Sequence, residues 1–258
     1  MNHFRQILQI FISVLLLNGC AVYYPQTTDI PLIKEKNELR VDGGISLFPA
    51  INGTVSYGLT EKIAVQLSGN LMVAGNHNPI PTFPYLITGA VGLYKFNPTN
   101  NWTKELYVGF GNGYSTDYYW RDMPYATLSG NYQIYYIQGN IGRRGIKHKF
   151  FEYAFGLKLG LINSHLHEHY DNPTFQPRNE VKHNELGAFI EPAISIKLGS
   201  DRLMFNIKPS FCYIKKIINT INTTNSYTTQ NIFDFSYTVG SDYPYFPYGI
   251  GLSLNYRW

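Results

Sequence analysis

After its N-terminal stretch the chain has no run of about 18 apolar residues, which excludes a helical membrane protein. Charge is scarce as well: Asp, Glu, Lys and Arg together make 15% of the residues, against roughly 25% in soluble domains. The net charge of +4 is scattered, with short basic clusters only at Arg143-Arg144 and Lys215-Lys216. A nucleic-acid partner needs a concentrated basic face, so none is expected. The two cysteines, Cys20 and Cys212, cannot build a disulfide framework. Gly109-Phe110-Gly111-Asn112-Gly113 is rich in glycine but opens no helix, so it is not a phosphate loop. No cofactor is expected.

What the chain does have is aromatic residues, 16% of the total with 22 Tyr, 16 Phe and 3 Trp, beside a mean hydropathy of only -0.18. Tyr in such numbers suits strands, and surfaces that are apolar on one side and wet on the other. A sheet whose alternate residues face lipid reconciles many aromatics with low average hydropathy.

From Glu38 onward the dominant period is two. Phe151, Tyr153, Phe155, Leu157, Leu159 and Leu161 alternate with Glu152, Ala154, Gly156, Lys158 and Gly160. Leu186 to Leu198 and Leu203 to Tyr213 repeat the scheme, as do Ile63, Val65, Leu67, Leu71 and Val73. Such segments are long for globular strands but suit a tilted membrane crossing. About ten strands are predicted, roughly over 37–48, 51–60, 62–74, 84–96, 104–114, 129–141, 149–163, 184–198, 201–214 and 245–258. Alternation alone also fits a soluble β-sandwich.

The rhythm of the connections favours an all-β, antiparallel up-and-down transmembrane β-barrel. Short turns at Thr60-Glu61, Asn97 to Thr103, Gly142 to His148 and Gly199-Ser200 fall on one side. Long loops, around 75–83, 115–128, 164–183 and 215–244, fall on the other. The short connection at Phe48-Pro49-Ala50 is the exception. An even strand count brings both barrel ends to one side of the membrane.

At the N-terminus, Arg5 precedes an apolar stretch from Ile7 to Leu17, as in a secretory signal. Leu17-Asn18-Gly19-Cys20 resembles a bacterial lipobox, although Asn18 departs from the small residue favoured there. The resemblance implies that Cys20 becomes the lipidated N-terminus; the alternative is an ordinary signal peptide with Cys20 incidental. At the other end Ile250, Leu252, Leu254, Tyr256 and Trp258 alternate up to a terminal aromatic. That pattern resembles the C-terminal signal read by the barrel-assembly machinery. With these features the chain resembles the small outer-membrane β-barrel proteins of Gram-negative bacteria, as does its Tyr57 to Ile63 hairpin. The expected organisation is a signal peptide over 1–19, a lipidated irregular tether over 20–36 and the barrel over 37–258.

The resemblance is architectural and leaves function open. The first reading is a structural or surface-binding role through external loops. Its partners would be outer-membrane lipid, the assembly machinery, and an external glycan or protein. The alternatives are a lipid- or lipopolysaccharide-modifying enzyme and a narrow pore. Glu152, Lys158, Glu191, Lys197, Arg202 and Lys208 are expected in the lumen, Glu152 pairing with Lys158, and Glu191 with Lys197, Arg202 or Lys208. In a barrel of about ten strands such charges fill the interior rather than line a channel. Cys212 is expected there as a small buried filler.

Tyr57, Tyr94, Phe96, Trp102, Tyr107, Tyr114, Trp120, Tyr213, Tyr256 and Trp258 are candidates for interfacial girdles. His165, His167, His169 and His183 suggest a metal site in an external loop, because imidazoles at alternate extended positions share one side and suit Zn, Cu or Ni. Their spacing matches no metalloenzyme motif, and a polar loop rich in His is the simpler reading. An enzyme would need a Ser, a His and an acid together, for which Ser164, His165 and Glu185 are the candidates.

Overall fold

The computed structural model describes residues 28–46, 50–72, 83–118, 126–146, 151–170, 181–200, 202–223 and 248–258. Its elements are all strands: β1 (Leu39–Ser46), β2 (Ala50–Gly58), β3 (Ile63–Met72), β4 (Tyr85–Asn97), β5 (Trp102–Tyr118), β6 (Ala126–Ile146), β7 (Phe151–Tyr170), β8 (Val181–Gly199), β9 (Leu203–Phe211), β10 (Tyr213–Thr223) and β11 (Tyr248–Arg257). β9 and β10 are two halves of one strand interrupted at Cys212, since both pair with β8. Ten strands therefore go round the sheet, each antiparallel to its neighbours. β1 pairs with β11, and β11 with β9, which closes the barrel. Closure leaves no sheet edge, the condition for placing backbone amides in hydrocarbon.

Alternation sorts the residues between two faces. Outward positions include Leu93, Val108 and Leu254, with 60%, 58% and 55% of their surface exposed, whereas inward Ile134 and Glu191 expose none. A soluble sandwich would bury its aliphatic face; here that face is the outer surface. Trp102 packs edge-on against Tyr153, and Tyr256 against Trp258, at the end where the barrel begins and finishes, called here the lower end. Near the upper end Tyr85 stacks on Tyr114. Three girdle candidates are misplaced by the sequence reading: Tyr94 and Tyr107 lie on inward positions of β4 and β5 and are buried in the lumen, and Phe96, in phase with Tyr94, lines the lower mouth of the lumen beneath Lys34. Trp120 lies outside the described residues.

Several strand glycines face a large ring on the next strand. Register sets Gly109 opposite Tyr136, Gly111 opposite Ile134 and Gly113 opposite Tyr132. A Cβ at Gly109 or Gly113 would collide with those tyrosine rings. Missing side chains on β5 thus make room for oversized ones on β6, and Tyr132, Ile134 and Tyr136 join Leu86, Ile162, Phe189 and Cys212 in an apolar layer.

The strands run further up than the hydropathy implied. Outward polar residues at Asn112, Gln133, Asn163 and Lys215 end the apolar belt. β5 nevertheless continues to Tyr118, β6 begins at Ala126, β7 continues to Tyr170 and β10 to Thr223. Six to eight residues per strand, about 20–25 Å of extended chain, therefore rise above the belt. The loops expected over 115–128, 164–183 and 215–244 are to that extent strand. Outward apolar residues are not needed there, so hydropathy fell while hydrogen-bonded pairing continued.

A lumen sealed by an internal strap

Residues 28–36, part of the segment expected as an irregular tether, are irregular, and Thr28 to Ile33 run down inside the barrel. Thr28, Asp29, Ile30, Leu32 and Ile33 are all at least nine-tenths buried. The chain emerges at the lower end through exposed Lys34 to Asn37 and turns into β1. The strap forms no ladder with the wall; inward side chains hold it. Thr28 Oγ1 donates to Glu191. Gln138 Nε2 donates to the Asp29 carbonyl at 2.9 Å, Lys197 Nζ to that of Ile30 at 2.8 Å, and Arg144 Nη1 to that of Leu32 at 2.9 Å. The Ile33 amide donates to Glu105 at 2.6 Å. Ile30 and Leu32 pack with Ala154, and Ile33 with Ala64, Tyr94 and Tyr107.

Charged groups fill the remaining space in three tiers. In the lowest, Arg40 and Arg144 each bridge Glu38 and Glu152, at 3.0–3.4 Å, and Arg257 reaches Glu152 at 3.5 Å. Burial raises the Glu38 pKa, but the neighbouring guanidiniums of Arg40 and Arg144 outweigh it and hold the carboxyl down at about 2. In the middle tier Asp42 accepts from Lys208 at 2.5 Å, Ser253 at 2.9 Å, Asn206 at 3.2 Å and Asn255 at 3.5 Å, while Lys208 lies 3.7 Å from Asp29. In the upper tier Lys158 stands 3.9 Å from Glu191 and over the Tyr136 ring. Glu105, Asn140 and Gln138 form a hydrogen-bonded chain across β5 and β6.

The sequence candidates divide accordingly. Glu152, Lys158, Glu191, Lys197 and Lys208 are buried inside, each at most 4% exposed. Arg202 is exposed below the start of β9 and borders the open lower vestibule of about 820 Å³. It has the inward phase but lies beyond the wall that would bury it. Neither same-strand pair forms: Glu152 to Lys158 and Glu191 to Lys197 are each six residues apart, about 20 Å along a strand. Partners come instead from other strands and from the strap. Sequence reasoning missed Glu38, Arg40, Asp42, Glu105 and Arg144. The inward phase of Arg40 and Asp42 around Val41 was the available signal, as were Ile30, Leu32 and Ile33 in the expected tether.

The histidines lie on strand rather than loop. His165 is exposed on the outer face of β7, its Nδ1 2.7 Å from Asn184 Oδ1. His167 follows two positions later on β7. Register pairs His183 with Leu166, not with a histidine. The side chains of His169 and His183 lie outside the described residues, and among those described no group of three metal-ligating side chains converges. Ser164 and His165 are consecutive on β7, so they point to opposite faces. Ser164 is buried and donates to the Glu185 carbonyl, while His165 is exposed. These three do not form a catalytic triad.

Cys212 is a free thiol buried in the apolar layer at the break between β9 and β10. The segment from Ile250 to Tyr256 lies within β11, with Leu252, Leu254 and Tyr256 outward, and Trp258 closes the ladder to Leu39. The segment expected as a signal peptide, and Cys20, lie outside the described residues.

The chain matches no protein-family model and no curated protein sequence. In structure it is similar to the outer membrane protease OmpT from Escherichia coli, with a TM-score of 0.56. The likeness covers 86% of this chain and 94% of that one at 9% sequence identity, and at that identity it speaks for the fold.

Proposed function

We propose that the chain is an outer-membrane β-barrel lipoprotein that works by surface binding or structural support on its outward side, not by passing solutes. One observation carries the reading: the lumen is filled by a peptide strap and three tiers of paired charges, while β5, β6, β7 and β10 continue beyond the apolar belt for about 20–25 Å of extended chain. The lower end, holding both barrel termini and the short turns, is assigned to the periplasm. The raised strands then form the external surface, the platform for a glycan or protein ligand. Outer-membrane lipid covers the apolar belt. The barrel-assembly machinery reads the strand ending at Trp258, and Cys20 carries the lipid anchor.

Planar-bilayer recording on the purified full chain tests the sealed lumen. No channel events are expected, and stepwise conductance would restore the pore. Metabolic labelling with a fatty acid, lost in Cys20→Ser, tests the anchor separately.

A further inference from the structure

The strap is held in the manner of a bound peptide. Four of its hydrogen bonds to the wall are main-chain bonds: the carbonyls of Asp29, Ile30 and Leu32 meet Gln138, Lys197 and Arg144, and the amide of Ile33 meets Glu105. These four side chains come from β6, β8 and β5, so three strands read a single irregular backbone. Main-chain recognition of this kind is largely indifferent to side-chain identity, and specificity comes from pockets. Here the apolar contacts take Ile30, Leu32 and Ile33, and Lys208 stands by the Asp29 carboxylate. Leu32 has a φ of 57°, a left-handed backbone that a leucine rarely adopts. The wall contacts on either side of it hold that conformation. No strap residue pairs in the ladder, so the wall's hydrogen bonding is complete without it.

We infer that the lower lumen is a peptide-binding site, occupied in cis by Thr28–Ile33, for a segment of about six residues, turned at its fifth, with an acid at its second position and apolar side chains at its third, fifth and sixth. Its mouth is the lower vestibule, where Lys34, Glu35, Lys36 and Asn37 are exposed. The covalent link between strap and wall is therefore open to a protease while the strap stays enclosed.

The test uses the full chain with a specific protease site placed at Lys36, folded intact in detergent and then cut. The cut fragment is expected to stay on the barrel through gel filtration. A fluorescent synthetic peptide of residues 28–36 is expected to replace it over time, and the same peptide carrying Leu32→Asp to bind at least tenfold more weakly. A peptide with Pro31 changed to Ala is expected to bind within a few-fold of the parent. Loss of the heat-modifiable gel shift on cutting would overturn the proposal, because the strap would then be core and not ligand. Failure of the peptide to bind an emptied, still-folded barrel would also overturn it. Should the inserted site prevent folding, hydrogen exchange on the unmodified chain decides. The amides of Ile33 and Lys34 are expected to exchange at least tenfold faster than those of β6 and β7, and exchange at one common rate would refute separability.

Discussion

Lys208→Met removes a buried ammonium and leaves its volume nearly unchanged. In the native lumen Lys208 Nζ lies 2.5 Å from Asp42 Oδ1 and 3.7 Å from Asp29 Oδ1. At an effective dielectric of about 20 those separations correspond to attractions of about 7 and about 4 kcal/mol. Dehydrating three charged groups offsets most of this in the wild type. The variant loses the attraction but keeps Asp42 buried, with only Ser253, Asn206 and Asn255 to donate to it. Removing one partner of such a pair destabilises by about 3–5 kcal/mol, a large part of a typical total of about 5–15 kcal/mol. Urea unfolding in detergent, followed by tryptophan fluorescence and by the gel shift, measures it. The double variant Asp42→Asn with Lys208→Met is expected to recover more than half of the loss, since Asp42, the nearer carboxylate, is then neutral and only Asp29 has lost its ammonium partner. A single variant within about 1 kcal/mol of wild type would refute the reasoning and show that water reaches the middle tier.

Gly109→Val is expected to destabilise by about 1–3 kcal/mol, because Tyr136 already occupies the space above Gly109. Gly139→Ala, facing open space on the outer surface, should change the same unfolding midpoint little. Val108→Arg puts a charge in the apolar belt and is expected to cost about 2–4 kcal/mol in lipid vesicles; an equal stability to wild type there would place Val108 outside the membrane. Lowering the pH should loosen the lower tier. The Glu38 carboxyl is held at about 2 in the folded barrel against 4.5 ordinarily, so its contribution is complete above about pH 4.5 and is lost as pH falls toward 2. The loss is on the order of 3 kcal/mol. Thermal unfolding across that range should be flatter for Glu38→Gln than for wild type, and parallel profiles would remove Glu38 from the account.

The strands were legible because lipid and lumen impose opposite chemistry on successive residues, as from Phe151 to Leu161. Their lower ends were legible too, since short turns carry turn-formers such as Asn101, whose φ is 59°. Their upper ends were not, because above a membrane an outward Asn163 or His165 fits a strand as well as a loop. The lumen charges were read from phase alone, which placed Glu152, Lys158, Glu191, Lys197 and Lys208 inside and could not name their partners. Those partners come from other strands and can be distant in sequence, as with Asp42 and Lys208, 166 positions apart on the two strands that flank β11. Phase also misled at Arg202, where the wall had already ended. The strap was invisible to periodicity, because an irregular segment with Pro31 has no repeat to detect. Its burial was written only in the aliphatic character of Ile30, Leu32 and Ile33.

The strap also constrains the order of events during assembly. It is made before any strand, yet it ends enclosed by a ring whose seam, β1 against β11, joins the earliest strand to the latest. Only Lys34 to Glu38 link it to that seam. Either the wall curls shut around a segment already in place, or the segment enters afterwards through the lower mouth with Thr28 leading. In the second route anything attached upstream of Thr28 must pass through the ring first. A bulky or acylated N-terminus therefore favours the first route, in which the strap serves as the mandrel on which the cylinder is wound.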